Sequence, residues 1–234
     1  MLGLLVIIIV SWVLLHFIEK KNIDAIGIVP NTKRCIQLLI GFLFIALLNL
    51  SMIYIESIVK SVDWQLNSKI SYQFIFDAFI YHLRSALTED LVFRGAILYI
   101  LMKKIGVQKA ILISALFFGL YHVFSYGMTG ARIIPILYVI LITGFTGYVW
   151  GYTFSKTRSI MMPLGFHLGY NLLMTFFYPS QPYGELVFME LSRVNLSEMN
   201  EIFYALFKGF FPSVVTLIFV RSLLKSSFKF LKNV

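Results

Sequence analysis

The sequence predicts an all-α fold, a polytopic membrane helical bundle of about seven transmembrane helices, and three observations carry that prediction. Of the 234 residues, 59% are hydrophobic and 13% charged, about half the charged share of an ordinary soluble domain. Residues 1–17 and 36–55 contain no Asp, Glu, Lys or Arg, and each run is near the ~20 residues a helix needs to cross the hydrocarbon core. The rest of the chain repeats the pattern of apolar runs between short basic loops, with no polar linker, low-complexity tract or internal repeat. A soluble fold and a disordered chain are both excluded, and residues 1–234 are expected to form a single membrane domain.

Taken in order, the spans fall at about 1–18, 36–55, 72–102, 110–126, 133–154, 160–178 and 202–220. The first lacks a basic leading region and a small-x-small cleavage site, so it reads as a retained helix and not as a secretory signal. The third is too long for one upright crossing and contains Asp77, His82, Arg84, Glu89, Asp90 and Arg94. Tilting or a break would accommodate it, and a break would make eight helices. Thr143, Gly147 and Gly151 in the fifth span, and Gly165 and Gly169 in the sixth, suit close helix packing. Cys35 is the single cysteine; it permits no intramolecular disulfide and reads as an inert thiol near a helix end.

Basic residues set the orientation. Lys20, Lys21, Lys33, Arg34, Lys103, Lys104, Lys109, Lys156, Arg158, Arg221, Lys225, Lys229 and Lys232, thirteen in all, fall on one side of this arrangement. The other side has four, Lys60, Lys69, Arg132 and Arg193, with Glu185, Glu190 and Glu198 in its longest loop. The positive-inside rule then puts the N-terminus outside and the C-terminus in the cytoplasm. The same distribution assigns the net charge of +9 to topology and contact with anionic membrane lipids, and no nucleic-acid partner is expected.

Ionisable groups inside a membrane are costly and by default functional. Three clusters qualify. In Thr88-Glu89-Asp90-Leu91-Val92-Phe93-Arg94-Gly95, Asp90 and Arg94 are one helical turn apart and can pair. Glu89 points about 100° away and is left free for chemistry. The second cluster is Phe117-Phe118-Gly119-Leu120-Tyr121-His122. The third is His167-Leu168-Gly169-Tyr170-Asn171, where His167 and Asn171 share a face and Gly165 and Gly169 lie roughly opposite. Taken singly, each also fits packing: an ion-pair knot, a hydrogen-bonded histidine, interhelical glue. Counting helical rise from the cytoplasmic ends puts Glu89 and His122 about 20 Å deep and His167 about 14 Å. That agreement across three helices favours one shared site.

In order and spacing these motifs resemble the CPBP intramembrane proteases, which include the type II CAAX prenyl endopeptidases and the bacterial Abi, or bacteriocin self-immunity, proteins. The family pattern is Glu-Glu-x-x-x-Arg, Phe-x-x-x-His and His-x-x-x-Asn on successive helices. This chain offers Glu89-Asp90-x-x-x-Arg94, Phe118-x-x-x-His122 and His167-x-x-x-Asn171, and the likeness covers about residues 75–178. It departs from the pattern at Asp90, which stands where the family has its second Glu. Asp90 still reaches Arg94 at i,i+4, so its orienting role is expected to survive.

The residues themselves have the parts of a water-activating hydrolase. A carboxylate shielded from bulk water is the better base, so Glu89, with His122, would polarise a water. His167 and Asn171 would donate to the oxyanion, each worth about 3–4 kcal/mol. The resemblance implies the same division, with Glu89 the general base and Asp90 and Arg94 in support. A water-filled cavity open to the cytoplasm is expected. Glu89, His122 and His167 would also make a valid zinc set. The His-Glu-x-x-His signature is absent and Asn is a poor zinc ligand, so no cofactor is favoured and Zn2+ is the alternative. The substrate expected is a hydrophobic or lipid-modified peptide, by the resemblance a prenylated C-terminal peptide, a bacteriocin or a signal-peptide precursor. The Ile, Phe, Lys and Asn content resembles a bacterial member of the plasma membrane. A non-catalytic immunity or interaction protein and a proton-coupled transporter are the readings from other classes. The sequence specifies no oligomeric state.

Overall fold

The long run expected at 72–102 is two helices, Tyr72–Arg94 and Ala96–Ile105, with Gly95 between them. A Cβ at position 95 would lie 2.1 Å from the Leu91 carbonyl oxygen, so only glycine lets the chain turn there. The computed structural model describes residues 2–225; Met1 and the Lys229 and Lys232 counted in the charge bias lie outside them. The helices are α1 (Leu2–Glu19), α2 (Thr32–Val59), α3 (Tyr72–Arg94), α4 (Ala96–Ile105), α5 (Val107–Ser125), α6 (Ile133–Thr157), α7 (Met161–Phe177) and α8 (Glu198–Lys225). The fold is the all-α helical bundle the sequence predicts.

Five helices, α1, α2, α5, α6 and α8, are long and apolar enough to cross a membrane by length and composition. Ten-residue α4 extends only about 15 Å, half a hydrocarbon core. Apolar side chains such as Leu5, Ile9, Leu43, Leu47, Phe203 and Ile218 are exposed on the helix surfaces. In lipid those positions are solvated, and the backbone polar groups are satisfied within each helix.

Small residues set the closest helix contacts. A Cβ on Gly41 would meet the Met162 carbonyl oxygen at 2.5 Å, and one on Gly165 would meet that of Leu38 at 2.3 Å. α2 and α7 therefore touch backbone to backbone, which fixes the height of α7 and its motif. Gly147 and Gly151 of α6 receive Phe118 and Ile111 of α5, as their spacing suggests. Thr143, expected to be a packing residue with them, instead lines a cavity.

No local pattern announces the one sheet among the described residues. Strands β1 (Asp63–Leu66) and β2 (Phe188–Ser192) pair antiparallel. Trp64 packs edge-on against Phe177 and Tyr178 and its Nε1 donates to Ser57 Oγ at 2.8 Å. The ribbon is thereby held to the ends of α2 and α7 opposite the basic loops. At the basic end, Leu15, Leu91, Leu98, Ile111 and Phe154 form a dense core. A second cluster, with Phe118, Trp150, Phe166 and Val220, closes the middle of the bundle.

Candidate active site

One turn of α3 holds both carboxylates and the arginine. Arg94 Nη1 donates to Asp90 Oδ1 at 3.1 Å, and both side chains are wholly buried. Arg94 Nε and Nη2 have no hydrogen-bond partner among the described residues. Aromatic faces surround that guanidinium instead, its carbon 3.9 Å from the Phe118 ring centroid and 5.1 Å from that of Trp150. Cation–π attraction is strongest when the cation is desolvated, which offsets part of the burial penalty. The Phe of the Phe-x-x-x-His motif thus serves α3 as well as its own helix.

His167 of α7 sits between the two carboxylates. Its Nδ1 is 3.6 Å from Asp90 Oδ2 and its Nε2 is 3.8 Å from Glu89 Oε2. Glu89 Oε1 accepts from Ser85 Oγ at 3.4 Å. The Glu89 side chain keeps 16% exposure and that of Asp90 none. Asp90 is paired with Arg94, whereas Glu89 Oε2, the atom nearest His167, is buried with no hydrogen-bond partner among the described residues, and Glu89 lies behind the cavity wall without lining it. Both histidine–carboxylate gaps exceed hydrogen-bond length, and Glu89 Oε2, Asp90 Oδ2 and His167 Nδ1 have no hydrogen-bond partner among the described residues.

His122 of α5 is fixed by its own helix. Its Nδ1 lies 2.8 Å from the Phe118 carbonyl oxygen. A carbonyl only accepts, so Nδ1 carries the proton and Nε2 is the acceptor of the neutral ring. The histidine within 4 Å of Glu89 is therefore His167, whereas the sequence suggested His122 as its partner. The bond to Phe118, one turn back on α5, accounts for the change.

His122, His167 and Asn171 all line one cavity of about 310 Å³. It begins at Phe118, Trp150 and His167 and runs past Asn171 and Thr143 to Tyr138, Tyr178 and Lys208. The latter three lie toward the helix ends that the charge bias assigns to the outside. The expected cytoplasmic opening and the orientation expected from the charge bias therefore do not agree with each other. The dense core at the basic end and the Phe118, Trp150 and Phe166 cluster next to it fill that half of the bundle, so the free volume lies in the other.

A second polar group, at the far end of the cavity, was missed. Glu56 is 2% exposed and accepts from Tyr178 Oη at 2.6 Å and from Lys208 Nζ, with Arg193 Nη1 at 3.6 Å. Lys208 lies inside the expected 202–220 span and Glu56 one residue past 36–55. The rule that singles out intramembrane ionisable groups applies to both and would have found them. His82 also acquires partners, its Nε2 lying 2.6 Å from Thr175 Oγ1 and 3.2 Å from the Pro182 carbonyl oxygen. Thr175 Oγ1 donates in turn to the Asn171 carbonyl at 2.9 Å.

Among the described residues no three His, Cys, Asp or Glu side chains are grouped to share a metal ion. His167 Nδ1 faces Asp90 and His122 Nδ1 a backbone carbonyl, contacts that leave each Nε2 available and that metal-ligating histidines also make.

A helical membrane bundle with a carboxylate–imidazole centre beside a largely apolar cavity is the class of protein these features define. Residues 71–173 match the family model described as Type II CAAX prenyl endopeptidase Rce1-like. That match spans all three motifs and supports the resemblance to the CPBP intramembrane proteases, whose members are peptidases. Comparison with curated proteins and with solved structures finds no match.

Proposed function

We propose that the protein is an intramembrane endopeptidase that hydrolyses a hydrophobic or lipid-modified peptide with water activated by Glu89. The observation that carries this reading is Glu89 Oε2 facing His167 Nε2 at 3.8 Å, with His167, His122 and Asn171 on the wall of one cavity. A water between Glu89 and His167 would give its proton to Glu89 as its oxygen attacks the scissile carbonyl carbon. The tetrahedral oxyanion would accept hydrogen bonds from Asn171 and from His167 when that ring is protonated. Glu89 would then pass its proton to the leaving amine nitrogen as the C–N bond breaks. His122, whose Nε2 is an acceptor, would orient the water or the departing amine. Asp90, held by Arg94, would position His167, the work of the family's second Glu. No metal is needed for this sequence of steps.

A prenylated peptide and a bacteriocin or signal-peptide precursor both suit an apolar cavity. The proposed location is a bacterial plasma membrane, N-terminus outside and C-terminus cytoplasmic, on the strength of the Lys/Arg bias. Peptide mass spectrometry on membranes carrying wild-type or Glu89→Gln protein at equal abundance tests the function. Cleavage products present only with wild type are expected; identical peptide sets would count against any peptidase.

A further inference from the structure

We infer that His82 is a positioning residue for the reaction, holding α3 against α7 at the register in which Glu89 meets His167. The inference rests on the peptidase reading above and adds to it a residue outside the three motifs and outside the cavity wall. His82 of α3 is 2% exposed and Thr175 of α7 is fully buried. Their side chains meet at 2.6 Å, Nε2 to Oγ1.

The partners fix where the protons are. The Pro182 carbonyl oxygen, 3.2 Å from the same Nε2, can only accept, so Nε2 carries the ring proton. Thr175 gives its own proton to the Asn171 carbonyl and therefore accepts from His82. The chain of donors thus runs from α3 through Thr175 to the backbone of Asn171.

The two helices run antiparallel and touch through polar groups at two levels. His82 and Glu89 are seven residues apart, His167 and Thr175 eight, so the two contacts lie about 10–12 Å apart along the axes. Seven residues is close to two full turns, which puts His82 and Glu89 on one face of α3. At the motif level His167 is 3.8 Å from Glu89 and 3.6 Å from Asp90, too far for hydrogen bonds that would fix the register. Two turns away, His82–Thr175 is the one hydrogen bond between α3 and α7 among the described residues. Misplacing reacting groups by about 1 Å can cost about a hundredfold in rate. Losing the bond that sets the register should therefore be felt in turnover before it is felt in stability.

The test compares variants of the full chain in detergent on the peptide identified from membranes, with thermal unfolding measured on the same samples. His82→Leu should lower kcat at least about tenfold with KM within about twofold of wild type. His82→Gln, whose amide N–H can replace the ring Nε2–H, should restore most of that loss. Thr175→Val keeps the shape, removes the acceptor and should lower kcat alike, and it serves in place of His82→Leu should that variant fail to fold. His82→Leu/Thr175→Val should be little worse than either single change, as for two ends of one bond. A second readout needs no turnover. A short thiol cross-linker between Glu89→Cys and His167→Cys, in a Cys35→Ser background, should join α3 to α7, and adding His82→Leu should cut the yield several-fold. Wild-type kcat in folded His82→Leu, no recovery with His82→Gln, or undiminished cross-linking would each overturn the inference. A histidine that only packs predicts a lower unfolding midpoint with kcat and cross-linking unmoved. Absence of turnover by the wild-type protein would instead count against the peptidase reading, and the cross-linking would still decide whether His82 sets the register.

Discussion

Replacing Arg94 by Met tests how the buried charges are held, and the structure fixes the scale. Asp90 and Arg94 are both 0% exposed, with Nη1 and Oδ1 3.1 Å apart. At an effective dielectric of about 20 two unit charges at that separation attract by about 5 kcal/mol. Removing one partner of a buried pair typically costs about 3–5 kcal/mol, because the remaining charge is stranded. Met fills most of the arginine stem's volume, so little of the loss would come from a cavity. Arg94→Met should therefore lower the midpoint of thermal unfolding in detergent, followed by circular dichroism, by on the order of 10 °C. Asp90→Asn/Arg94→Met, which removes both charges, should recover more than half of that loss. A single variant as stable as wild type, or a double variant no better than the single, would refute the ion pair as the element that holds Asp90.

The remaining predictions follow from the same geometry. Asp90→Glu, the family's usual residue, should be tolerated, since its longer side chain can close the 3.6 Å gap to His167; turnover and unfolding midpoint near wild type are the check, and collapse of either would contradict it. Asn171→Ala should lower kcat by about a hundredfold with little change in KM, as loss of an oxyanion donor does. A variant that is merely less stable, by the ~0.6 kcal/mol of an interhelical hydrogen bond, would make Asn171 a packing residue. Turnover of the purified protein should survive chelation. Activity lost to a chelator and restored by stoichiometric zinc would replace the glutamate mechanism with a metal one. Cysteine labelling from each side of the membrane should find position 193 outside and position 225 inside; both on one side would end the proposed topology.

Much of the fold was written in local patterns, and what was hidden depended on distant contacts. Apolar runs gave the helices to within a few residues, and the overlong run was recognisable as anomalous. That it breaks at Gly95 depends on a clash with Leu91 that only the turned backbone creates. The pairing of β1 with β2 joins segments more than a hundred residues apart, and neither carries a strand pattern long enough to read. At the site, the i,i+4 spacing anticipated the Asp90–Arg94 pair. That His167 is the histidine within 4 Å of Glu89 depends on side-chain placement that helix depth alone does not give. The direction of the cavity was equally hidden, since it depends on which half the aromatic side chains of α5, α6 and α7 fill.

Glu89 carries the central claim, and one measurement on the detergent-purified protein addresses it most directly: turnover of the peptide identified from membranes, by wild type and by Glu89→Gln at matched thermal stability. The side chains differ by one atom, so the fold and the Ser85 contact should persist while the base is lost. The account predicts a fall in kcat of at least about a thousandfold for Glu89→Gln, with the unfolding midpoint unchanged. Wild-type turnover by a folded Glu89→Gln protein would contradict it.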